Sequence, residues 1–352
     1  MKARLRPLWA SLGLVALLLT ACSQDYPYNS LAPAGPVAQK QKDLYLLVFW
    51  IAAGVFVLVE GALLVAVIRF RRRRAEDLPV QVHGNTRLEI VWTILPALLL
   101  AGIAVPTVGT IFQLSREPAN ALRVTVVGHQ WWWEVKYPNG EGPEDDVVTA
   151  NEIHIPVGRP VDLTLVSVDV NHSFKVPRLA GTQDLVPGRT NHLVLQADSA
   201  GSYAGECAEY CGLSHANMKF VVVAEAQGDF DAWLEGEAGP AAEPQKDSQA
   251  AEGLEVFSTP LPQGPPAGES AGACIACHTI EGVEGANATV GPNLTHFASR
   301  SILAGGILQN TPEEVARWLS DPPGVKAGSK MPNYHLSDEQ IEDLVAYLES
   351  LE

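Results

Sequence analysis

Two long apolar stretches constrain this chain more than any other feature of its sequence. Residues 44–68 are apolar except for Glu60, and residues 90–112 form a second apolar run. Each stretch is long enough to cross, as a tilted helix, a bilayer core about 30 Å thick. The arginine-rich residues 69–74 lie between them and indicate a cytoplasmic connection, because positively charged loops stay on that side. The sequence therefore predicts a transmembrane helical hairpin whose two ends face outward.

Residues 1–22 are typical of an export signal, with basic residues ahead of an apolar run. The run ends in Leu-Thr-Ala-Cys, which resembles a bacterial lipoprotein cleavage box and predicts lipidation at Cys22. An ordinary signal peptide with an incidental cysteine is the alternative, because the match is short. Residues 23–118 comprise the N-terminal segment and the hairpin. With either kind of signal, both ends of this region lie outside the cytoplasm.

The net charge of the chain is confined to its C-terminal part. From Val221 onward the sequence has 21 acidic and 5 basic residues, which accounts for the whole net charge of −16, whereas the preceding part has 19 of each. A tail this acidic argues against nucleic-acid binding and indicates partners with basic surfaces.

Residues 119–234 have the pattern of an all-β domain. Short apolar or alternating segments are separated by turn residues, and this length and spacing indicate a β-sandwich or barrel. The predicted strands are 122–127, 153–155, 161–166, 192–195 and 220–223. Three consecutive tryptophans, Trp131 to Trp133, follow the first strand. A strand that alternates sides cannot bury them all, so at least one should be exposed or lie at an interface.

The segment from Cys207 to Met218 carries the chemistry of this domain. Two thiols four residues apart are followed by a histidine and a methionine. Thiolate, thioether and imidazole are donors that select copper. Zinc is one alternative, although structural zinc sites rarely use methionine. A disulfide between Cys207 and Cys211 in an oxidising compartment is another.

The same segment resembles the dicopper (CuA) loop of cytochrome c oxidase subunit II, and residues 169–174 resemble the strand that carries the other histidine ligand of that family. The resemblance implies a cupredoxin-like fold in which two coppers share both thiolates. Each copper then has one histidine, and a thioether and a backbone carbonyl are weak outer ligands. The implied ligands are His172, Cys207, the carbonyl of Glu209, Cys211, His215 and Met218.

Further roles follow from the resemblance. The side chain of Glu209 would reach a magnesium site shared with subunit I, and Trp131 would be the point at which electrons enter the copper domain. Glu89, at the start of the second span, would lie near the mouth of a proton path into subunit I. The ordinary alternatives are an interfacial carboxylate at Glu89, and packing of Trp132 and Trp133 against the membrane or subunit I.

A second prosthetic-group motif lies nearer the C-terminus. Cys274-Ile-Ala-Cys277-His278 is a c-type haem attachment motif, in which the cysteines form thioethers and the histidine binds iron. A thioredoxin-like motif would have no use for the histidine. Met331 supplies a sixth iron ligand suited to electron transfer, and a five-coordinate, gas-binding haem would leave it unused. Residues 291–294 resemble the loop behind the proximal histidine in class I cytochromes c, which implies an all-α domain of that class.

Residues 235–252 separate this cytochrome domain (253–352) from the β-domain. They are rich in Ala, Gly, Pro, Glu and Gln without an apolar period, which predicts a flexible linker that spans about 23 Å on average. The chain is thus predicted to be a multi-domain membrane protein with a two-helix transmembrane hairpin, a cupredoxin-like all-β sandwich and an all-α class I cytochrome c domain.

Together these features resemble subunit II of the caa3-type cytochrome c oxidases, in which the cytochrome is fused to the subunit. The resemblance implies an electron relay from haem c to copper and on to the O2-reducing, proton-translocating subunit I in a bacterial inner membrane. Implied partners are subunits I and III, membrane lipids, and a donor such as a bc-type complex or a soluble cytochrome. Two alternatives stay open: a copper-dependent nitric-oxide reductase subunit, and a copper-handling lipoprotein that would need neither haem nor hairpin.

Overall fold

The computed structural model of the chain describes residues 26–71, 83–140, 142, 146–261 and 272–352. The predicted signal segment, with Cys22, lies outside these ranges, as do most of the residues that link the two predicted spans. The described residues form a helical hairpin, a β-sandwich and a smaller C-terminal domain.

Two long helices form the hairpin, α1 (Pro36–Arg69) and α2 (Thr86–Leu114), and both contain the predicted spans and extend beyond them. A proline in the first turn starts α1, and the Asn85 side chain caps α2 by accepting hydrogen bonds from two backbone amides. Both helices are long and apolar enough to cross a membrane. Their apolar side chains are largely exposed in the isolated chain, as expected for helices that lipid surrounds.

In the described part of the chain, ten strands form two five-stranded sheets. The strands are β1 (Leu122–His129), β2 (Trp132–Tyr137), β3 (Val147–Ala150), β4 (Glu152–Pro156), β5 (Val161–Ser167), β6 (His172–Lys175), β7 (Thr182–Leu185), β8 (Asn191–Leu195), β9 (Gly201–Cys207) and β10 (Lys219–Glu225). One sheet has the order β3-β2-β1-β5-β8 and the other β4-β10-β9-β6-β7. The pairs β1/β5 and β4/β10 are parallel. All five predicted strands are confirmed, and the two sheets form the predicted sandwich.

The core between the sheets is built by alternation along the strands. In β10, the side chains of Phe220, Val222 and Ala224 are buried, and the residues between them are partly exposed. Gly205 on β9 pairs with Phe220, and a Cβ at Gly205 would lie 2.1 Å from the phenylalanine ring. Only glycine leaves room for that ring at this position, so the pair fixes how β9 lies against β10.

The three tryptophans are all buried, in three different settings. Trp131 lies in the turn between β1 and β2, is 9% exposed and contacts the C-terminal domain, which confirms that one tryptophan lies at an interface. Trp132 stacks on a histidine ring of β1. Trp133 is 0% exposed and packs edge-on against Phe174 and Phe220. Packing of Trp133 against the membrane or a partner is therefore wrong. The turn interrupts strand alternation and lets all three rings be buried.

The predicted linker, residues 235–252, is helical at both ends and contacts the C-terminal domain between them. α3 (Gln227–Glu237) ends inside it and α4 (Gln249–Ser258) begins inside it. Between the two helices the Gly239 carbonyl lies 2.9 Å from His296 Nε2, within hydrogen-bond distance. The composition is that of a flexible chain, but backbone groups of this segment find partners in the domain that follows, which composition cannot show.

The C-terminal domain contains, in its described part, α4 and three further helices, α5 (Pro312–Ser320), α6 (Pro322–Val325) and α7 (Asp338–Leu348), with a short antiparallel pair, β11 (Ile302–Leu303) and β12 (Leu308–Gln309). Thr311 caps α5 and Ser337 forms a capping box at α7. α4 and α7 cross so closely at Gly253 that a Cβ there would lie only 2.0 Å from the Asp343 carbonyl oxygen.

Tyr137 joins the two sheets through a buried hydroxyl. Its oxygen accepts a hydrogen bond from His154 N at 2.7 Å and donates one to the His154 carbonyl at 3.0 Å. We predict that Tyr137→Phe lowers the free energy of unfolding by about 1–3 kcal/mol, because both backbone groups lose their partner. Thermal unfolding of the full chain in detergent measures this effect, with Tyr26→Phe at a residue 66% exposed as control. Equal Tm values for the two variants would contradict the prediction.

Candidate metal and haem centres

The predicted copper ligands come together where three strands of one sheet end or begin. Cys207 ends β9, His172 begins β6, and Met218 immediately precedes β10. The loop between β9 and β10 contains a short 3-10 turn, His215–Asn217, and is closed by a backbone hydrogen bond of 2.9 Å from Cys207 N to the Met218 carbonyl. Pairing of β6 with β9 brings the distant histidine to the loop.

Each thiol sulfur has its own nitrogen neighbour. The Cys207 sulfur lies 3.9 Å from His172 Nδ1, and the Cys211 sulfur lies 3.6 Å from His215 Nδ1. With metal–sulfur and metal–nitrogen bonds of about 2.3 and 2.0 Å, an ion fits between each sulfur and its nitrogen. The two sulfurs are 3.8 Å apart and both cysteines are free. A disulfide needs about 2.05 Å, so the disulfide alternative is not realised in this structure.

The weaker donors are divided between the two sulfurs in the same way. The Glu209 carbonyl oxygen is 3.3 Å from the Cys207 sulfur, and Met218 Sδ is 3.8 Å from the Cys211 sulfur. Met218 is 0% exposed. Two thiols, two imidazoles, a thioether and a carbonyl form a soft donor set that suits copper better than zinc. Because each half offers one histidine and one weak donor, the residues fit a dinuclear site.

Asp169 fixes the tautomer of His172. Its carboxylate accepts a hydrogen bond of 2.9 Å from His172 Nε2, which leaves Nδ1 free to bind a metal. Burial by itself would raise the pKa of Asp169, but hydrogen bonds from His172 and from the amides of Val170 and Gln130 outweigh burial and lower it. The carboxylate is therefore ionised and holds the ring in place.

The two thiols share one hydrogen bond. The contact with Cys211 lowers the pKa of Cys207 far below that of a free thiol, against the opposing effect of burial, and the same contact raises the pKa of Cys211. These shifts favour the thiolate at Cys207 and the protonated thiol at Cys211. Both sulfurs become ligands only when a cation displaces the remaining proton.

A second site is a cavity, open to solvent, between the C-terminal domain and the sandwich. All of the predicted haem-binding side chains line it, namely Cys274, Cys277, His278 and Met331. Trp131 and Trp132 of the sandwich complete its wall. The fold thus brings together residues that are far apart in sequence, and places them beside the copper loop.

Three features of the cavity fit a haem group: a histidine that can bind iron, a glycine behind that histidine, and a buried arginine. His278 Nδ1 donates to the Pro292 carbonyl at 2.8 Å and leaves Nε2 for iron. Burial lowers the pKa of His278 despite that opposing hydrogen bond, so the ring is neutral. A Cβ at Gly291 would lie 2.5 Å from the His278 ring, so glycine is needed behind it. Arg300 is buried, and its Nε has no hydrogen-bond partner among the described residues, which suits an acidic group of a ligand.

Trp131 belongs to both sites. Its Nε1 donates to the Cys211 carbonyl at 3.0 Å, and its ring lines the haem cavity. The neighbouring Gln130 side chain donates to the same carbonyl at 2.6 Å. One side chain therefore joins a ligand of the copper loop to the wall of the haem cavity.

Two predicted site carboxylates point away from these centres. The side chain of Glu209 is exposed, and Glu89 is exposed in the first turn of α2. In the described part of the chain neither carboxylate lies among the copper or haem donors. Cys22 lies outside the described residues.

The residues that support the ligands and the domain contact have little signal in the sequence. Asp169 is three residues before His172, inside the segment that carries the family resemblance, and this spacing was its only signal. Arg300 and Lys326 are isolated basic residues, and nothing in their local sequence indicates that both are buried.

Comparison with known proteins finds relatives along nearly the whole chain. Family profiles described as "Cytochrome C oxidase subunit II, transmembrane domain", "Cytochrome C oxidase subunit II, periplasmic domain" and "Cytochrome c" match residues 23–109, 141–225 and 250–352. The chain is 38% identical to a cytochrome c oxidase subunit 2 of Alkalihalophilus pseudofirmus, over 97% of this chain and 95% of the relative. It is 35% identical to that of Bacillus sp. strain PS3, over 98% and 97% of the two chains.

We predict that Asp169→Asn weakens copper binding by about 10–100-fold, because the variant loses the charge that orients His172. Competition with a chelator measures copper affinity in the full chain. Asp198→Asn, at an exposed aspartate, is the matched control. Equal copper retention by the two variants would rule out the orienting role of Asp169.

Proposed function

Because this chain belongs to the cytochrome c oxidase subunit II family and carries a fused cytochrome c domain, we propose that it is a caa3-type subunit II that relays electrons from haem c to a dinuclear copper centre and on to subunit I. One observation supports this relay most directly. Trp131 lines the haem cavity and also donates to the carbonyl of Cys211 in the copper loop. A single buried side chain thus bridges the two candidate centres.

The residues proposed to hold each group are the ones that the fold brings together. The proposed copper ligands are His172, Cys207, the Glu209 carbonyl, Cys211, His215 and Met218. The proposed haem ligands are Cys274 and Cys277 as covalent attachments, with His278 and Met331 at the iron. When bound, the two groups supply sites that accept and release one electron at a time.

The chain's own residues keep these ligands fixed. Asp169 and Pro292 hold His172 and His278 by the ring nitrogen that does not face the metal position. Ligands that cannot rotate limit the rearrangement that accompanies a change of charge, which favours fast electron transfer. Trp131, at 9% exposure, occupies the space between the two centres.

Membership of the family implies association with subunit I, and the two apolar helices imply a membrane protein with an extracellular domain. We further propose the bacterial inner membrane as its location and subunit III as a second partner. The electron donor is proposed to be a bc-type complex or a soluble cytochrome. The acidic C-terminal part of the chain supports a donor with a basic surface.

Further proposals concern residues outside the two centres. The exposed side chain of Glu209 supports a magnesium ion shared with subunit I, and Glu89, in the first turn of α2, supports a point at which protons enter that subunit. Lipidation at Cys22 and the domain boundaries given by residues 119–234 and 253–352 are proposed on sequence grounds.

Neither alternative function is favoured. The relatives matched over nearly the full length are oxidase subunits, which argues against a nitric-oxide reductase subunit. A copper-handling lipoprotein would need neither the hairpin nor the cytochrome, and both of these regions match family profiles.

The relay is tested on the purified oxidase that contains the full chain. We expect near-infrared and EPR spectra of a mixed-valence copper pair with one low-spin haem c, and transfer from photoreduced haem c to copper. Trp131→Leu should slow that transfer roughly tenfold or more, because losing the ring opens a gap between the centres. Trp132→Leu is the control, since Trp132 lines the same cavity but has no hydrogen bond to Cys211 in the described structure. Absence of transfer in the wild type would refute the relay.

Met218 is expected to set the copper potential rather than to retain the metal. We predict that Met218→Leu keeps two coppers and raises the potential by on the order of 59 mV, the value for a tenfold change, because a donor that stabilises the oxidised pair is lost. Spectroelectrochemical titration measures the shift. Leu213→Met, at a residue 80% exposed in the same loop, is the control. Finding one copper or none in the wild type would contradict the scheme.

A further inference from the structure

Glu152 is a buried carboxylate of the sandwich that accepts hydrogen bonds from the other domain. It is 2% exposed and accepts hydrogen bonds from the Ser301 amide and hydroxyl, both at 2.7 Å, and from the Ile302 amide at 2.9 Å. Burial by itself would raise the pKa of Glu152, but hydrogen bonds from His154 and Ser301 outweigh burial and lower it. The cytochrome domain therefore compensates part of the buried charge. This part is lost when the two domains separate.

Lys326 makes the reciprocal contact from the cytochrome domain. It is 4% exposed and donates to the Trp131 carbonyl at 2.6 Å and to the Ala304 carbonyl at 2.8 Å. One acceptor belongs to the sandwich and the other to the cytochrome domain. Burial lowers the pKa of Lys326 to about 7, so this site stabilises the ammonium group less well than water does.

Glycines allow the two domains to approach this closely. Gly305 and Gly306 have φ values of 75° and 78°, and the Gly305 carbonyl accepts a hydrogen bond of 2.8 Å from Lys219 N in β10. A Cβ at Gly305 would lie 2.9 Å from the Trp131 carbonyl, and one at Gly306 would lie 3.0 Å from the Lys219 backbone. Side chains at these positions would force the domains apart.

Polar contacts of this kind define an orientation more than they add strength. Taking a carboxylate and an ammonium out of water offsets much of what their hydrogen bonds return. A docking surface that was only apolar would tolerate sliding, whereas buried donors and acceptors must meet specific partners. The contacts at Glu152 and Lys326 connect the sandwich to different segments of the cytochrome domain, so together they restrict rotation as well as separation.

We propose that Glu152 and Lys326 are positioning residues that hold the cytochrome domain in one orientation on the copper domain, with its haem cavity against Trp131. This inference rests on the proposed function, because the orientation matters only if an electron passes between the centres. The step that this orientation would serve is the transfer of one electron from a haem held by Cys274, Cys277, His278 and Met331 to a copper pair held by the loop between β9 and β10, with no bond or proton transferred. In this orientation Trp131 is covered, so an external donor delivers its electron to the haem and not to copper directly.

The test uses the purified oxidase with the full chain, in which haem c is photoreduced and electron arrival at copper is followed optically. In the wild type we expect a rate that is independent of viscosity, because the domains are already docked. Lys326→Met and Glu152→Ala should each slow transfer by roughly 5- to 150-fold, since each leaves docked partners unsatisfied. Transfer in both variants should become slower as glycerol is added, because the domain must dock again before each event.

Exposed residues of the same types provide matched controls. Lys246→Met and Glu243→Gln remove the same charges from exposed positions and should leave the rate unchanged. Haem and copper spectra and potentials should be those of the wild type in every variant, which separates positioning from damage to a centre. If a variant loses a centre, Gly306→Ala replaces it, because its added methyl meets the Lys219 backbone without altering charge.

The outcomes are distinct. Slow, viscosity-dependent transfer with intact centres supports the positioning role. Wild-type rates in the double variant Glu152→Ala/Lys326→Met, or in Gly306→Ala where that variant stands in, overturn it while leaving the relay standing. No transfer in the wild type itself refutes the proposed function instead.

Discussion

The contact on which the rest of the structure depends is the hydrogen bond between the Trp131 indole and the Cys211 carbonyl, 3.0 Å long and buried. It ties the turn between β1 and β2, in one sheet, to the loop between β9 and β10, in the other. The backbone carbonyl of Trp131 in turn accepts from Lys326 of the cytochrome domain. The same residue therefore connects both sheets and the second domain, so a displacement of this turn would break contacts with both the copper loop and the cytochrome domain.

Part of the buried charge around this contact is compensated within the sandwich itself. His154 lies between Glu152 and Glu225, with its ring nitrogens 3.5 and 2.5 Å from their carboxylate oxygens, and it stacks on the Trp233 ring. Burial by itself would lower the pKa of His154, but the hydrogen bonds to the two carboxylates outweigh it and raise the pKa. The raised pKa favours the cationic ring, whose charge stabilises two carboxylates that would otherwise repel each other. The docking face of the sandwich is thus prepared by contacts within the sandwich itself.

The sequence predicts those features whose residues lie close together along the chain. The ligands from Cys207 to Met218 and from Cys274 to His278 occupy short segments, so their spacing reports their geometry directly. Strands and capped helices follow from local periodicity. The docking contacts have no such signal, because Ser301 is 149 residues from Glu152 and Lys326 is 195 residues from Trp131. The composition of residues 235–252 indicated a flexible tether for the same reason: it records the chain's own propensities and not the surface on which the segment packs.

The docked arrangement also changes how the charge of the C-terminal part is presented. Of the five basic residues after Val221, two are withdrawn from the surface, Lys326 into the domain interface at 4% exposure and Arg300 into the wall of the haem cavity at 7%. Most of the acidic residues of the cytochrome domain, by contrast, are exposed or partly exposed. The face that remains open is consequently more acidic than the composition alone indicates. The two domains are held together by hydrogen bonds and close backbone contact. The exposed acidic residues therefore remain available to attract a basic partner from solution.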